Sequence, residues 1–395
     1  MLDFDDALAR LLAGANAVGE TEEVPTFAAA GRILAQRLRS GVDVPPLDNT
    51  SMDGYALRCA DVPAAGAQLV VAQRIVAGSV GHVLAPGTAA RIFTGAPLPA
   101  GADAVVMQEL CAVDGDRVTV NHVPRDGEWI RRRGEDIAAG SEVLAAGTRL
   151  SAAHVGVAAS AGAARLAVYR RLRVALFSTG DELAMPGEAL KPGGIYNSNR
   201  YTLRALLEGL GCVVADLGIV PDSRDATRAA LREAAAGNDL ILTSGGVSVG
   251  EEDHVKPAVE AEGALDLWKI AIKPGKPLAF GRVGAAAFIG LPGNPVSSFV
   301  TFLMLVRPYI LKAQGATAVT PRAQLLRADF SCPGDPRREF LRARVNAEGG
   351  LELFANQSAG VLTSCTWADG LVDNPSRHAV ARGDQVRFLP FSELL

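Results

Sequence analysis

The chain has 395 residues, of which 49% are apolar and 21% charged, and a formal net charge of −4. A chain this long exceeds one ordinary hydrophobic core and implies about two to four domains. The composition is that of a soluble globular protein, and the slight acidic excess argues against a dedicated nucleic-acid surface.

In chain order, Leu2–Leu12 repeats apolar residues at helical spacing and predicts an amphipathic helix, as does Thr26–Leu38. The opening MLDFDDALARLL carries acids where a secretory signal needs basic residues. From Val42 to about Ile137, short apolar runs (LVVAQRIV, AVVMQEL, RVTVNHV) alternate with Pro/Gly turns. This texture predicts a β-rich module inserted into a domain whose two segments flank it. Helical pattern returns at Ser151–Ala164. Between about Arg171 and Gly315, the runs RVALF, CVVADLGIV, DLILT and AAAFIGL read as buried strands. Helices separate them at Asn199–Leu210, Arg224–Ala236 and Asp253–Ala261, before a last helix from about Pro295 to Ala313. Its most apolar part, Phe299–Val306, stops at Arg307-Pro308, short of a membrane span. No membrane is expected, and the expected location is cytoplasmic. From about Pro321, AQLLRADF, EFLRARV, LELFA and QVRFLPF predict a small β-barrel or sandwich.

The expected architecture is multidomain α/β. A discontinuous helical linker domain (1–41 and 138–170) brackets a β-rich insertion (42–137). A doubly wound parallel-sheet domain (171–315) and a C-terminal β-barrel (316–395) follow.

Ligands of doubly wound sheets gather at the carboxyl ends of the strands. Here those ends carry STGDEL, TSGGVSVGEED and GLPGNP. Gly245 and Gly246 suit an anion, because glycine lets backbone N–H groups approach closely. Glu182 after one strand and Asp253 after another bring carboxylates to the same edge. Acids repel an anion unless a cation lies between them. Glu251 and Glu252 are equally explained as acids at a helix N-terminus. The scattered cysteines form no C-x-x-C pair and the histidines no H-E-x-x-H, so a bound metal would take oxygen ligands, as magnesium does. Lys269, Lys273 and Lys276 in WKIAIKPGKP suit phosphate recognition as point charges, a solvated turn being the alternative. GLPGNPVSSF opens the last helix, with Gly293 for a tight turn and Asn294 to cap or to bind an oxyanion. Gly246–Gly250 also spells G-x-S-x-G around Ser248, the serine-hydrolase elbow. Acids crowd that serine, and only His254 and His378 follow it, so this reading is disfavoured. In the insertion, Asp53, Thr94 and Asp136 lie in polar segments of a kind that turns carry anyway.

Eight stretches, LDNTSMDGYA, RIFTGAPLP, RRRGEDI, STGDEL, YNSNRYTLRALL, TSGGVSVGEEDHVK, KPGKP and GLPGNP, resemble the molybdopterin molybdenumtransferase family in order and spacing. The resemblance runs to about Tyr309 and is weaker beyond. Its departures are conservative: Thr50-Ser51 where Ser-Ala is common, and Ser298 where Ala is common. It implies insertion of molybdenum from molybdate into adenylylated molybdopterin with Mg2+, releasing AMP and molybdenum cofactor. Carried over by motif, Glu182 and Asp253 are the metal or metal-adjacent acids, and Asp222 in VPDS lines the same edge. Lys269, Lys273 and Lys276 serve the pyrophosphate and molybdate. Ser178, Thr179, Gly180, Gly245, Gly246, Ser248, Gly293 and Asn294 hold substrate, with Pro292 and Pro295 shaping the last loop. Asp53, Thr94 and Asp136 close the site from the insertion.

The resemblance further implies an elongated homodimer, dimerising through the linker domain, whose cleft joins the sheet domain of one chain to the insertion of the other. A molybdopterin adenylyltransferase and molybdenum-enzyme maturation proteins are the expected partners. The alternatives are the adenylyltransferase itself, which single-domain proteins with a similar sheet provide, and a non-catalytic scaffold. The extra domains and MDGYA favour the insertase.

Overall fold

The computed structural model describes residues 1–246 and 254–395. Helix α1 (Phe4–Gly14) begins at Asp3, whose carboxylate accepts the Asp5 N–H, and turns Phe4, Ala7 and Leu11 inward. Strand β1 (Thr21–Pro25) follows. The helix expected at Thr26–Leu38 does not form. Thr26–Ala28 makes one 3-10 turn, and Gly31 then takes φ +78°, which ends any helix. Beyond it Ile33 bridges Arg149 and Leu34 bridges Val168. Ile33 enters the main core and Leu34 a separate one. Neighbours that alternate between two cores follow a period of two, which overrides the helix propensity of the alanine run.

The insertion is a six-stranded sheet of β2 (Gly54–Leu57), β3 (Ala67–Ile75), β4 (Thr88–Ile92), β5 (Ala104–Met107), β6 (Cys111–Asp114) and β7 (Arg117–Val120). The spatial order is β5-β2-β4-β3-β7-β6. Tyr55 and Val106 pack on one face, Ala56 and Val105 on the other, as strand alternation requires. After helix α2 (Ala152–Ser160), strand β8 (Arg165–Tyr169) pairs antiparallel with β1, from Thr21 opposite Tyr169 to Pro25 opposite Arg165. The segments before and after the insertion thus share a core of Leu34, Leu144, Leu150, Ala158, Leu166 and Val168.

The next domain runs β9 (Arg173–Thr179), α3 (Ser198–Gly209), β10 (Val213–Val220), α4 (Arg224–Ala235), β11 (Leu240–Ser244) and α5 (Val255–Glu262). Then come β12 (Gly263–Lys269), β13 (Ile272–Lys273), β14 (Pro277–Val283) and β15 (Ala286–Leu291). The sheet order is β10-β9-β11-β15-β14-β12. Strand β9 is buried on both faces: Val174 and Leu176 pack toward α3, Ala175 and Phe177 toward α4 and α5. The four strands β10, β9, β11 and β15 run parallel, whereas β14 and β12 form an antiparallel edge. The doubly wound parallel core is as expected, and the antiparallel edge adds to it. The links from β12 to β14 and from β14 to β15 are too short for a crossover helix, so the chain reverses.

Helix α6 (Pro295–Ala313) is, among the described residues, the one helix long and apolar enough to cross a membrane, and 94% of it is buried within the protein. It is a core helix. Its middle, Phe302–Val306, widens into a π turn just before Pro308, which lacks an N–H and crowds the carbonyl four residues back.

The C-terminal strands β16 (Gln324–Arg327), β17 (Arg338–Val345), β18 (Leu351–Leu353), β19 (Gly370–Asn374) and β20 (Gln385–Pro390) close into a barrel. The ring runs β18-β17-β19-β20-β16 and shuts at the Ala328–Leu351 bridge, around Leu341, Val372, Val386 and Phe388. Strand β13 joins β17 in parallel, with Lys273 opposite Glu339. A loop of the sheet domain is thereby also a strand of the barrel sheet.

Candidate active site

The carboxyl ends of β9, β11 and β15 open onto a cleft of about 900 Å³. Thr179 and Gly180 come from the end of β9, Ser244, Gly245 and Gly246 from β11, and Pro292, Gly293 and Asn294 from the loop that starts α6. Glu182 and Asp222 add carboxylates, and the Asp222 N–H donates to Asp181 at 3.1 Å, tying the loops after β10 and β9 together. Glu182 depends on its neighbour. A Cβ on Gly180 would lie 2.5 Å from Glu182 Oε2, so only glycine leaves that carboxylate its place.

Two buried polar atoms without partners lie here. Thr179 Oγ1 and Asn197 Nδ2 have no hydrogen-bond partner among the described residues, although Thr179 is 4% and Asn197 2% exposed. Both residues line the cleft. The Asn197 side-chain oxygen caps α3 by accepting the Arg200 N–H at 3.1 Å, which leaves the amide nitrogen facing inward as a donor. Leaving one such group unmet costs about 1–3 kcal/mol, so two in one cleft point to a polar ligand. A second cavity of about 620 Å³ lies at the opposite end of the sheet, around Asp239, Phe280 and Tyr309. None of the unpartnered buried atoms lines it.

The barrel completes the cleft. Arg337, Gln357, Ser358 and Ala359 form its far wall, and the Ala359 carbonyl accepts the Val296 N–H of α6 at 3.0 Å. Lys273 is held by Glu339 at 2.9 Å and by Asp335 at 3.0 Å. The Glu339 carboxylate, with Asp335, raises its pKa against the opposing effect of burial. Asp335 also accepts from Arg337 at 3.0 Å, which holds its carboxyl well below the usual range. Lys276 is exposed on the cleft wall and has no ion pair among the described residues. The barrel residues carried no local signal in sequence. They reach the cleft only because β13 is shared between two sheets. Asn197 and Asn199 lay inside YNSNRYTLRALL, where their spacing could have marked them: Asn199 Nδ2 donates to the Gly293 carbonyl at 2.8 Å.

Other expected residues lie elsewhere. Ser178 is fully buried beneath the cleft, 3.2 Å from the Ser244 hydroxyl, and does not line it. Lys269 is exposed at the end of β12, and Pro295 begins α6; neither lines the cleft. The Gly245 N–H donates to the Leu291 carbonyl at 3.1 Å and so does not serve an anion. Ser248 and Asp253, with Glu251 and Glu252, lie outside the described residues. Neither His254 nor His378 lines the cleft. Asp53, Thr94 and Asp136 are in the insertion, away from this chain's own cleft lining. There Asp53 accepts from the Thr94 N–H at 2.8 Å and its hydroxyl at 2.7 Å, and these bonds lower its pKa. Asp136 is exposed.

Gly245 has φ +87°, and a Cβ there would sit 2.8 Å from the Thr179 carbonyl. Gly245→Ala is therefore expected to cost about 1–2 kcal/mol from the left-handed backbone alone, with the clash added. Urea unfolding measures it; an unchanged midpoint contradicts this geometry.

Three sequence profiles match successive parts of the chain: the MoeA N-terminal region (domain I and II) over residues 2–162, a probable molybdopterin binding domain over 175–312, and the MoeA C-terminal region (domain IV) over 326–391. The molybdopterin molybdenumtransferase of Haemophilus influenzae is 40% identical over 407 aligned residues, covering 100% of both chains. The chain belongs to the molybdopterin molybdenumtransferase family. The molybdopterin molybdenumtransferase 2 of Mycobacterium tuberculosis is 38% identical over 92% of this chain and 93% of its own. A crystal structure of the molybdopterin biosynthesis MoeA protein from Pyrococcus horikoshii superposes with TM-score 0.85 at 28% identity, over 99% of this chain and 100% of that one. Since the molybdopterin molybdenumtransferase match spans the whole chain, the barrel wall of the cleft belongs to the family fold and is no appended module.

Proposed function

We propose that this chain inserts molybdenum from molybdate into adenylylated molybdopterin, releasing AMP and molybdenum cofactor. The observation that carries the reading is the meeting of Glu182 and Asp222 with Lys276 and the unpartnered Thr179 and Asn197 in one cleft of a full-length family member. The adenylylated substrate is a polyanion, and Lys276 with Arg337 gives it cationic contacts. The Thr179 hydroxyl and the Asn197 amide donate hydrogen bonds from a buried wall, where water competes least. Magnesium fits the donors present, since it favours one or two carboxylates together with substrate phosphates. Glu182, with Asp222 beside it and Asp253 from outside the described residues, would hold it. When bound, the metal supplies charge neutralisation of the pyrophosphate oxygens.

Asp53, Thr94 and Asp136 act in this reading from the partner copy of a homodimer. The reaction runs in the cytoplasm, between an adenylyltransferase that supplies the substrate and maturation proteins that accept the product. Purified protein given adenylylated molybdopterin, molybdate and magnesium is expected to release AMP and to yield a product that reconstitutes an apo-molybdoenzyme. Formation of the adenylylated compound from ATP and molybdopterin by this chain alone would assign the preceding step instead. Peptide binding without turnover would make it a scaffold.

A further inference from the structure

The cavity of about 620 Å³ lies at the end of the sheet opposite the cleft. Its volume falls within the range of small-molecule sites, about 300–1,000 Å³. The ends of α1 and α6 and the antiparallel edge of β12 and β14 bound it, with Val18, Leu172 and Leu240 among its apolar walls. Gly14 lets α1 end against the Phe280 ring, because a Cβ there would lie 2.8 Å from Phe280 Cζ.

Tyr309, Arg282 and Asp266 line this cavity, and their polar side-chain groups have no partner among the described residues. Tyr309, 4% exposed, packs edge-on against Phe280 with ring centroids 6.0 Å apart. Its unpartnered hydroxyl is not among the atoms sealed in the core, so it opens onto the cavity. Burial pushes its pKa up to about 12, while Arg282 draws it down and Asp239 draws it up. Both of those residues line the cavity, so the hydroxyl lies among its charges and keeps its proton. Arg282 and Asp266 are exposed. Arg282 stands opposite Ala264 and Asp266 opposite Phe280, so both charges project from the face that carries Phe280. The other two charges on the cavity satisfy each other: Arg170 holds the two oxygens of Asp239 at 2.7 and 2.8 Å.

We propose that this cavity binds a free aromatic amino acid whose ring carries a polar atom. The ring fills the apolar interior, and its polar atom meets the Tyr309 hydroxyl. The carboxylate pairs with Arg282, whose planar fork suits it, and the ammonium pairs with Asp266. One unpaired charge would select a simple anion or cation, whereas one of each sign on a single face selects a zwitterion. A polyphosphate is disfavoured, because Arg282 is the one unpaired cation on the cavity among the described residues and Asp266 repels it.

The test is calorimetric titration with L-tryptophan, L-phenylalanine, indole-3-propionate and tryptamine, on wild type and on Tyr309→Phe, Arg282→Met and Asp266→Asn. Each variant removes a group without a partner, so each should unfold at the urea concentration of wild type. L-tryptophan is expected to bind wild type with a Kd of about 1 mM or tighter. Indole-3-propionate lacks the ammonium and tryptamine the carboxylate, and each should bind about tenfold more weakly. Arg282→Met should lose about tenfold toward L-tryptophan and nothing toward tryptamine. Asp266→Asn should weaken L-tryptophan and leave indole-3-propionate unchanged. Tyr309→Phe should narrow the preference for L-tryptophan over L-phenylalanine. Inorganic pyrophosphate, an anion suited to the cleft, should not displace L-tryptophan. The proposal is overturned by no binding to wild type at about 10 mM, by unchanged affinity in the three variants, or by displacement with pyrophosphate. Early unfolding of Tyr309→Phe would mean that its hydroxyl is already paired within the fold, and overturns it as well.

Discussion

Replacing Lys276 with methionine is expected to lower kcat/KM for adenylylated molybdopterin by about ten- to a hundredfold, with the fold unaffected. The argument is one of division of labour among the cleft's cations. Lys273 is engaged by Glu339 and Asp335, and Arg337 by Asp335. Lys276 has no ion pair among the described residues and stands exposed on the wall, so it meets an incoming anion without breaking an existing contact. A hydrogen bond to a charged group is worth about 1.5–3 kcal/mol, which corresponds to that range of rate. Lys273→Met should behave differently. It strands Glu339, 4% exposed, without its cation, so stability falls first and activity follows. Steady-state AMP release and urea unfolding on the two variants separate the cases. If both lose stability alike, or if Lys276→Met keeps wild-type kcat/KM, the assignment of Lys276 to the substrate is wrong.

Much of the fold was legible in sequence because its strands are buried on both faces. RVALF and DLILT are near-continuous apolar runs, and in the structure β9 and β11 are buried almost throughout. Thr26–Leu38 misled because an alanine-rich run has the same helix propensity whether or not Gly31 turns the chain and its apolar residues divide between two cores. The antiparallel edge was illegible for a similar reason: GALDLWK and PLAFGRV alternate as any edge strand does, and direction is set by link length. The cleft was legible where single loops carry it, as with Gly180, Glu182, Pro292, Gly293 and Lys276. It was illegible where tertiary pairing builds it. Nothing local in PRREF tells that Glu339 will face Lys273 across two paired strands or that Arg337 will reach the cleft. Lys269, only four residues before Lys273, shows the converse. Its spacing matched a phosphate-binding series, but its backbone pairs with Pro277 at the sheet edge, and it does not line the cleft.

Mixing two inactive variants, Asp53→Asn and Glu182→Gln, is expected to restore roughly a quarter of wild-type activity. Glu182 lines the cleft of its own sheet domain, whereas Asp53 is fixed by Thr94 in the insertion and lines no part of that cleft. If both act on one substrate, the insertion must come from a second copy. A closed two-fold dimer then has two equivalent clefts, each drawing its sheet domain from one chain and its insertion from the other. Either variant alone puts a lesion in both clefts, and both homodimers should be nearly inactive. In the heterodimer, the sheet domain of the Asp53→Asn chain meets the intact insertion of its partner, while both lesions fall together in the other cleft. Random reassortment of equal amounts gives about half heterodimers, each with one intact cleft, hence the quarter. The measurement is AMP release after co-expression or unfolding and remixing, with exchange verified by two affinity tags. A site contained within one chain would leave a lesion in every subunit, and no activity would return. Verified exchange without recovery therefore assigns Asp53 to a role inside its own chain.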